Sequence, residues 1–504
     1  MAMAQNQRPL PMEMTKRIVE LACLPNGPHP LRYNAPQSRC ATLASVCRAW
    51  RDLVERHTFR NLRLDRARLA DVDRIVCRRR RAYVRTVDLD VELEPYGRDV
   101  YGAFETAEEN ARNSAIFSET LRRCFDALGR WAPAGGGSGL DGDGAGIWLS
   151  IRTFSPSDVD RCGAAEMDRR KGDLYNQDIF GDRYVHSILQ LLPAASELPV
   201  VGCVSRLSSS NRWHTKARHI SAAAWALIVN SLPNANKIDL SFWDNEKKDL
   251  ELRKRLRDDI GDALARMHCP NAEVALSCRY ATPKDHSSIP PTLIDARGSE
   301  DAFARGLRKW ARQLKRLYLS DVVIAPEVFY APSSDDEEAA SEWPYLERLE
   351  IEYAAVTPHG TWLLERDPED SPRDRPSPVI DINEFGQENL CIEMPAPEDL
   401  YEYDFRTLPV AMEMDRIHRS VARAARRMPA LRYLYLGTFD QAIQWGQRYH
   451  SFLYRYDETR GVATAHWGSL PGYTPAEDVV ELWREVTAEV RGCQLEVLID
   501  EEDV

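Results

Sequence analysis

Several features that would place a protein in a familiar class are missing from this chain. Its 504 residues contain no apolar run of about 18 residues, the length a helix needs to cross a bilayer, so no membrane partner is expected. The segment 1–8 also lacks the apolar core of a signal peptide. The eleven cysteines are odd in number and form no CxxC pair, which favours reduced thiols. The sequence therefore predicts an intracellular protein, in the cytoplasm, the nucleus or both.

Motifs that carry out chemistry are missing as well. The sequence has no HExxH helix, no GxSxG nucleophile elbow and no phosphate-binding P-loop. His268, Cys269 and Cys278 stand close together, but their spacing matches no common zinc motif. We therefore predict no catalytic residue, no metal site and no cofactor. The alternative is an enzyme whose α/β body has an active site that no motif reveals, with the N-terminal segment purely structural.

Charge is unevenly distributed along the chain. The net charge is −12, yet the first 100 residues hold 19 Lys and Arg against 12 Asp and Glu, which gives 19 − 12 = +7. The remainder then carries −12 − 7 = −19. A basic N-terminal part suits an acidic protein surface as its partner. DNA binding is the rival interpretation, but an acidic body disfavours a polyanion, so no nucleic-acid partner is expected.

The segment from Leu10 to Leu64 has the pattern of a helical hairpin. One apolar stripe recurs at i, i+4, i+7 and i+8, the spacing of one helix face: Met14, Ile18, Leu21 and Ala22. A second stripe follows at helical spacing: Leu43, Val46, Cys47, Trp50, Leu53 and Val54. Two such helices can bury one face against each other, and further apolar residues would leave surface for a partner: Val19, Leu24 and Ala44. The alternative is an ordinary hairpin inside a larger core.

These residues resemble the F-box. The family pattern has Leu-Pro-x-Glu-Ile, a further Ile and a later Val-Cys-Arg-x-Trp. The matching residues here are Leu10, Pro11, Glu13, Met14, Ile18, Val46, Cys47, Arg48 and Trp50. The continuation from Thr58 to Leu64 is similar to the F-box proteins of filamentous fungi. Two departures are Met14 in place of Ile and a long connector, 25–38, which can loop out at little cost in free energy.

The resemblance implies a function in ubiquitin transfer. F-box proteins are the substrate-recognition subunits of SCF-type cullin–RING ubiquitin ligases, which bind a Skp-type adaptor and, through it, a cullin. The adaptors of this family are acidic, in agreement with the basic N-terminal part. The adaptor contacts or immediate supports that the resemblance implies are Leu10, Pro11, Ile18, Leu21, Val46 and Trp50.

The rest of the chain alternates between helical and extended patterns. The predicted helices are 67–81, 121–131, 185–192, 221–232, 258–268, 301–313 and 417–428. The predicted strands are 84–91, 147–154, 200–207, 237–243, 273–280, 314–324 and 431–437. This alternation favours an α/β fold with a mostly parallel sheet.

An irregular repeat accompanies this alternation. A frame of the form LxxLxL starts at Val84, Ala235, Leu314, Leu346 and Leu431. In three frames a proline stands two residues earlier, where it stops the preceding helix: Pro233, Pro344 and Pro429. The frame resembles the strand of a leucine-rich repeat, although the units are unevenly spaced and lack the Asn of a regular repeat.

The fold class that follows is α/β, with an N-terminal helical F-box followed by an irregular leucine-rich-repeat-like helix–strand solenoid. The F-box domain is expected at 1–65 and the repeat domain at 66–504, with insertions near 134–146, 331–341 and 358–404. A doubly wound single sheet is the structural alternative.

Strand alternation assigns the two faces of each frame, because successive side chains point to opposite sides. The aliphatic residues are expected in the core, and the outward residues are Asp88, Asp90, Asp239, Ser241, Tyr318, Ser320, Glu350, Glu352, Tyr433 and Tyr435. The candidate substrate-binding residues are Asp239, Tyr318, Glu350, Glu352 and Tyr435. An acidic and aromatic surface of this kind predicts a basic protein substrate.

Overall fold

The structure is a computed structural model. It describes residues 12–23, 37–100, 103–131, 146–158, 183–193, 197–209, 218–244, 249–280, 286–294, 300–330, 342–366, 368, 377–378, 381–382, 388–389, 401–402, 406–438, 449–470 and 472–500. Most of the expected insertions, at 134–146, 331–341 and 358–404, lie outside these residues.

Within the described residues, twelve strands form one sheet, and their order in space follows their order in sequence. The strands are β1 (Asn61–Leu64), β2 (Thr86–Glu92), β3 (Ile147–Phe154), β4 (Val204–Ser209), β5 (Lys237–Ser241), β6 (Glu273–Ser277), β7 (Arg316–Val322), β8 (Arg348–Tyr353), β9 (Tyr433–Thr438), β10 (Tyr449–Asp457), β11 (Val462–Leu470) and β12 (Leu495–Ile499). Neighbours from β1 to β9 pair in parallel. In a doubly wound sheet the strand order reverses at a switch point, and no such reversal occurs among these twelve strands. The doubly wound alternative is therefore wrong.

Helices cover one face of this sheet. They are α4 (Arg66–Ile75), α5 (Arg78–Arg81), α6 (Ala107–Gly129), α7 (Ala222–Asn230), α8 (Leu250–Arg266), α9 (Ala302–Ala311), α10 (Ala411–Ala425) and α11 (Glu477–Arg491). The N-terminal segment adds α1 (Met12–Cys23), α2 (Gln37–Ala44) and α3 (Arg48–Thr58). At the start of five of these helices a side chain accepts a hydrogen bond from a backbone N–H; Thr106 and Glu109, for example, form a capping box at α6.

The main core lies between the helices and the aliphatic side of the strands. Parallel register aligns one row of buried residues across the repeated strands: Val87, Leu149, Leu207, Ile238, Val274, Leu317, Leu349 and Leu434. Helix residues such as Phe125, Trp225 and Trp310 pack on the same cluster. The frame aliphatics predicted to be inward are therefore buried, and the coarse α/β assignment with a mostly parallel sheet is confirmed.

The proline positions agree with prediction in two of the three frames. Pro233, Pro344 and Pro429 each lie in a turn, four residues before β5, β8 and β9 begin. Pro233 and Pro429 follow the ends of α7 and α10, as expected of residues that limit a helix, whereas the described residues directly before Pro344 are not helical.

The N-terminal hairpin differs from the two-helix prediction. The second apolar stripe was expected to form one helix from Leu43 to Val54, but the chain turns between α2 and α3. The Ser45 hydroxyl donates to the Thr42 carbonyl oxygen at 2.7 Å, and Cys47 has extended backbone with φ −162°. A local hydroxyl-to-backbone hydrogen bond competes with helix continuation at this position.

The prediction of a helix at 185–192 is wrong. Residues 183–186 form a turn, and Leu189 forms an isolated parallel bridge with Ile220. Leu189 is fully buried, and its N–H donates to the His219 carbonyl oxygen at 2.8 Å. Tertiary packing and this backbone pairing outweigh a weak helical propensity.

The C-terminal strands were not predicted. β10 pairs antiparallel with both β9 and β11, and β12 pairs in parallel with β11. A smaller antiparallel pair, Leu364–Arg366 with Arg406–Pro409, lies outside the main sheet. Two more pairs join Ser377–Pro378 to Tyr401–Glu402 and Asp381–Ile382 to Glu388–Asn389. The sheet also begins earlier than expected, because β1 lies inside the segment assigned to the N-terminal domain.

No helix among the described residues is long and apolar enough to cross a membrane.

Helices α8 and α9 touch through two glycines. A Cβ atom placed on Gly306 would overlap the carbonyl oxygen of Gly261, and one placed on Gly261 would overlap the carbonyl group of Ala302. Backbone therefore lies against backbone at this crossing, which no residue with a side chain permits.

We expect Gly306→Ala to destabilise the protein. Alanine gains about 1 kcal/mol of helix propensity, but overpacking against a carbonyl costs about 3 kcal/mol, so a net loss of about 2 kcal/mol is expected. Chemical denaturation of wild type and variant measures this difference. Arg305→Ala, at an exposed position of the same helix, is the control. A Gly306→Ala variant as stable as wild type would contradict this close packing.

Two histidines are buried in the C-terminal core. Burial lowers the pKa of His418 to about 4, and burial likewise lowers the pKa of His450 to about 4. The Trp467 indole N–H donates to Nδ1 of His418 at 3.3 Å, so that nitrogen acts as an acceptor in the neutral ring. Both side chains are therefore neutral in the folded protein at pH 7.

The free energy of unfolding should fall as the pH drops from about 6.5 to about 4. In that window the unfolded histidines take up protons and the folded ones do not, so each contributes a slope of about 1.4 kcal/mol per pH unit. Denaturation across this pH range measures the slope of the free energy of unfolding against pH. His418→Asn should reduce this slope by the contribution of one proton. His268→Asn, at an exposed position, is the control. An unchanged slope in His418→Asn would show that His418 is protonated in the folded state.

Candidate interaction surfaces

The N-terminal hairpin has a small core of its own. Val19 of α1 and Val54 of α3 are each 2% exposed and pack with partly buried residues of α2 and α3: Cys40, Leu43, Ala44, Trp50 and Leu53. This cluster is separate from the main core under the sheet. Trp50, expected as an adaptor contact or its support, therefore supports the hairpin from inside.

An apolar row remains on the outer face of the hairpin. Met14, Ile18 and Leu21 lie along α1 and are 54%, 39% and 54% exposed, and Val46 is 60% exposed in the turn before α3. The expectation that the Met14 stripe is the buried face is wrong, because Thr15 and Val19 face the hairpin core instead. Leu10 and Pro11 lie outside the described residues. We refer to Met14, Ile18 and Leu21, on one face of α1, as the apolar row.

Glu55 attaches the hairpin to the rest of the chain, at residues 79 and 80. Its carboxylate is buried and accepts hydrogen bonds from Arg79 and, at 2.7 Å, from Arg80. The hydrogen bond from Arg80 is the main reason that the pKa of Glu55 lies below its usual range. Arg80 also donates to the Ile75 carbonyl oxygen at 2.6 Å and lies 4.7 Å from the Phe59 ring centroid. The arginine run 78–81 thus fixes the hairpin against the end of α4.

We expect Glu55→Gln to loosen the hairpin from the body. Removing the charge leaves Arg80 without its carboxylate and Arg79 with Asp52 alone, and half of Arg79 is exposed, so a loss of about 1–2 kcal/mol is expected. Limited proteolysis and chemical denaturation measure the effect. Glu119→Gln removes an exposed carboxylate that also pairs with two arginines, and should cost less than about 0.5 kcal/mol. Equal effects of the two substitutions would contradict a specific role for Glu55.

The second surface is the face of the sheet that the described helices do not cover. Register aligns Asp239, Tyr318, Glu350 and Tyr435 in one row across β5, β7, β8 and β9, with Ala275 between the first two. Glu352 lies one pleat further along β8 and accepts a 2.7 Å hydrogen bond from the Tyr318 hydroxyl. The structure therefore brings together the five residues singled out as substrate-binding candidates.

Three other residues predicted to be outward contribute little surface. Asp90, Ser241 and Ser320 are 5%, 6% and 6% exposed. Asp90 is enclosed because Arg63 and Arg152 both pair with it, the latter at 2.7 Å. Burial, followed by the nearby charge of Asp90, raises the pKa of the neighbouring Asp88.

A second row on the same face was missed by the sequence analysis. One pleat nearer the strand starts, pairing aligns Trp148, Arg206, Lys237, Glu273, Arg316 and Arg348 across β3 to β8. The sequence contained a signal for this row, because a cation directly precedes the second aliphatic residue in three of the frames: Lys237, Arg316 and Arg348. Tyr433 and Arg455 continue the row on β9 and β10. We call the residues from Arg206 to Arg348 in this alignment the cationic row.

Together the two rows form a groove of about 380 Å³ across β3 to β8. Glu273 bridges Lys237 at 3.5 Å and Arg316 at 3.6 Å. Arg348 pairs with Glu350 and lies 3.9 Å from the Tyr433 ring centroid, and the hydrogen bond to Glu350 raises the pKa of Arg348. Burial raises the pKa of Tyr435 further along the face. The groove therefore combines aromatic rings with charges of both signs.

Comparison with known proteins gives a family match for one segment of the chain. A family of unknown function (DUF6546) matches residues 408–503, which include α10, β9 to β12 and α11. Among curated proteins, none matches the chain. In the described part of the chain, no group of three or more His, Cys, Asp and Glu side chains is placed to hold a metal ion.

Proposed function

We propose that this protein is an F-box substrate receptor of an SCF-type ubiquitin ligase. In this proposal the hairpin binds a Skp-type adaptor, which joins it to a cullin, and the open sheet face binds a protein substrate. The sheet with its one-sided helices is proposed to be an irregular leucine-rich-repeat-like solenoid.

The apolar row is the observation that carries the proposal. A helix that packs against its own body normally buries its apolar side, whereas α1 buries Thr15 and Val19 and exposes Met14, Ile18 and Leu21. Large exposed apolar groups on one helix face are characteristic of protein–protein contact sites. The hairpin keeps this face open because its own core is complete without it.

The rigid attachment of the hairpin supports the same function. Helix α3 ends at Thr58 and β1 starts at Asn61, so two residues separate the hairpin from the sheet. A receptor acts by raising the effective concentration of its substrate near a ubiquitin donor, and this requires a defined distance between its two binding surfaces. Glu55 and its two arginines maintain that geometry.

The solenoid assignment is supported by sequential parallel strands with aligned aliphatics. Each repeat can bury its apolar side only against its neighbours, as in other repeat proteins. The alternative function, an enzyme with an unrecognised site, stays a prediction. It requires a pocket that gathers ionisable groups away from water, whereas the side chains of Lys237 and Arg316 in the described groove are each 49% exposed.

Adaptor capture tests the proposal. Ile18→Asp combined with Leu21→Asp places two charges in the apolar row and should abolish capture of a purified Skp-type adaptor, because each central apolar contact contributes about 2 kcal/mol. The measurement is the dissociation constant by calorimetry, with circular dichroism to verify folding.

Met412→Asp is the matched control, because Met412 is also apolar and is 67% exposed, but lies on α10. It should bind the adaptor as wild type does. Unchanged capture by a folded Ile18→Asp, Leu21→Asp variant, or absence of capture by wild type, would refute the proposed adaptor contact.

A further inference from the structure

The main sheet has an unpaired edge at β12. This strand is last in the spatial order, and among the described residues it pairs with β11 alone. The Asp500 N–H donates to the Trp467 carbonyl oxygen of β11 at 3.0 Å. Backbone groups of successive strand residues point to opposite edges, so those of Leu495, Val497 and Ile499 point away from β11. Three N–H donors and three carbonyl acceptors are therefore directed outward along this edge.

The main core is incompletely covered at the same end. Apolar side chains in α11, in β12 and between them pack on this core but are only partly buried: Leu482, Val490, Cys493, Leu495, Val497 and Ile499. In an interior strand such as β8, the equivalent side chains of Leu349 and Ile351 are each 1% exposed. In proteins built from stacked units, neighbours cover each other and the end units need a cap. The described residues provide no complete cap beyond β12.

This edge also lacks most of the features that keep edge strands from associating. Such strands are usually very short, or contain proline, lysine or a bulge. β12 has five residues without proline or lysine, and its register with β11 is regular. By contrast, β1 at the other edge has four residues and carries the exposed cation Arg63. The one charged side chain of β12 is Glu496, so this carboxylate limits which strand can pair with it.

We propose that β12 pairs antiparallel with β12 of a second copy of this chain, which joins the two main sheets into one. Two-fold symmetry requires antiparallel pairing of identical edges. With the axis beside Val497, this residue lies opposite its counterpart, and Leu495 lies opposite Ile499 of the second copy. All the outward backbone groups of both strands are then paired, and the partly buried side chains of β12 cover one another. This inference does not depend on the proposed receptor function.

The charges of the edge select this register. Glu496 lies opposite Leu498 of the second copy, and Gln494 lies opposite Asp500, whose carboxylate can accept from the Gln494 amide. Moving the axis by one residue would place Glu496 opposite either Glu496 or Asp500 of the second copy. Like charges directly opposite each other are destabilising, so both alternatives are disfavoured. The edge is thus complementary to itself, which favours a second copy over an unrelated strand.

Sedimentation velocity of the full-length protein over a range of concentrations tests the dimer. Wild type should associate reversibly to twice the mass of one chain. Leu498→Glu places a carboxylate opposite Glu496 of the second copy at two symmetric positions, so it should weaken association about tenfold or more. Leu498→Lys introduces the opposite charge at the same exposed position and should not weaken association, because Lys faces a carboxylate.

Two further variants test the register and the location. Adding Glu496→Lys to Leu498→Glu pairs opposite charges again and should restore the dimer. Leu470→Glu is the matched control, because Leu470 is 40% exposed on β11 and Leu498 is 47% exposed. It should associate as wild type does, and circular dichroism verifies that each variant is folded. Equal weakening by Leu498→Glu and Leu498→Lys, or by Leu470→Glu, would overturn the proposed register.

The remaining outcomes distinguish other occupants of the edge. A wild type that stays monomeric at about 100 μM would overturn the dimer. Slow amide exchange at Val497 in that monomer would assign the edge to another segment of the same chain. Ile18→Asp with Leu21→Asp should leave the dimer intact, and its loss would assign association to the apolar row instead. Leu498→Glu should capture the adaptor as wild type does, so the dimer and the receptor function fail independently.

Discussion

The alignment of aliphatic side chains between neighbouring parallel strands determines most of this structure. Each repeated strand contributes its second and third frame residues to continuous buried rows, exemplified by Leu317 and Leu319 beside Leu349 and Ile351. A shift of one residue would turn these side chains to the open face and bury charged ones, so register is strongly specified. The opposite face follows from the same alignment: polar residues at equivalent frame positions become rows of neighbours. Both the core and the groove therefore result from one geometric constraint.

Chain direction changes at the C-terminal end of the sheet. Strands β10 and β11 reverse the parallel pattern, and their inward side is filled by aromatic residues, with Phe452 packed near Trp467 and Trp483. This aromatic packing fills the core beneath β10 and β11, before α11 and the parallel strand β12 complete the sheet. The buried, neutral His418 belongs to this packing, so acid is expected to destabilise this end of the sheet.

The sequence was sufficient for the repeated part of the fold and insufficient elsewhere, for physical reasons. Frames with strong aliphatic alternation and a preceding proline give the strand positions closely: the predicted strand 237–243 corresponds to β5 (Lys237–Ser241). β10 and β11 were missed because their inward positions include His450, Ala463 and Ala465, which give little hydrophobic periodicity. In the hairpin, the Met14 stripe is apolar whether it faces a core or a partner, so periodicity alone assigned it to the wrong side. The cationic row was missed because in most frames only the outward residues after the second aliphatic were considered, and the outward residue just before it was left out.

The short passage between α3 and β1 has a mechanical consequence. Phe59 and Arg60 are the residues between the two elements, and the Arg60 carbonyl oxygen already accepts hydrogen bonds from Arg85 and Thr86 at the start of β2. The segment between the N-terminal hairpin and the first strands of the sheet is thus too short and too well bonded to act as a flexible linker. A molecule bound to those helices would therefore be held in a fixed orientation relative to the strands of the sheet. The distance between the hairpin and the far end of the sheet would then depend on the number of strands and not on the length of a flexible linker.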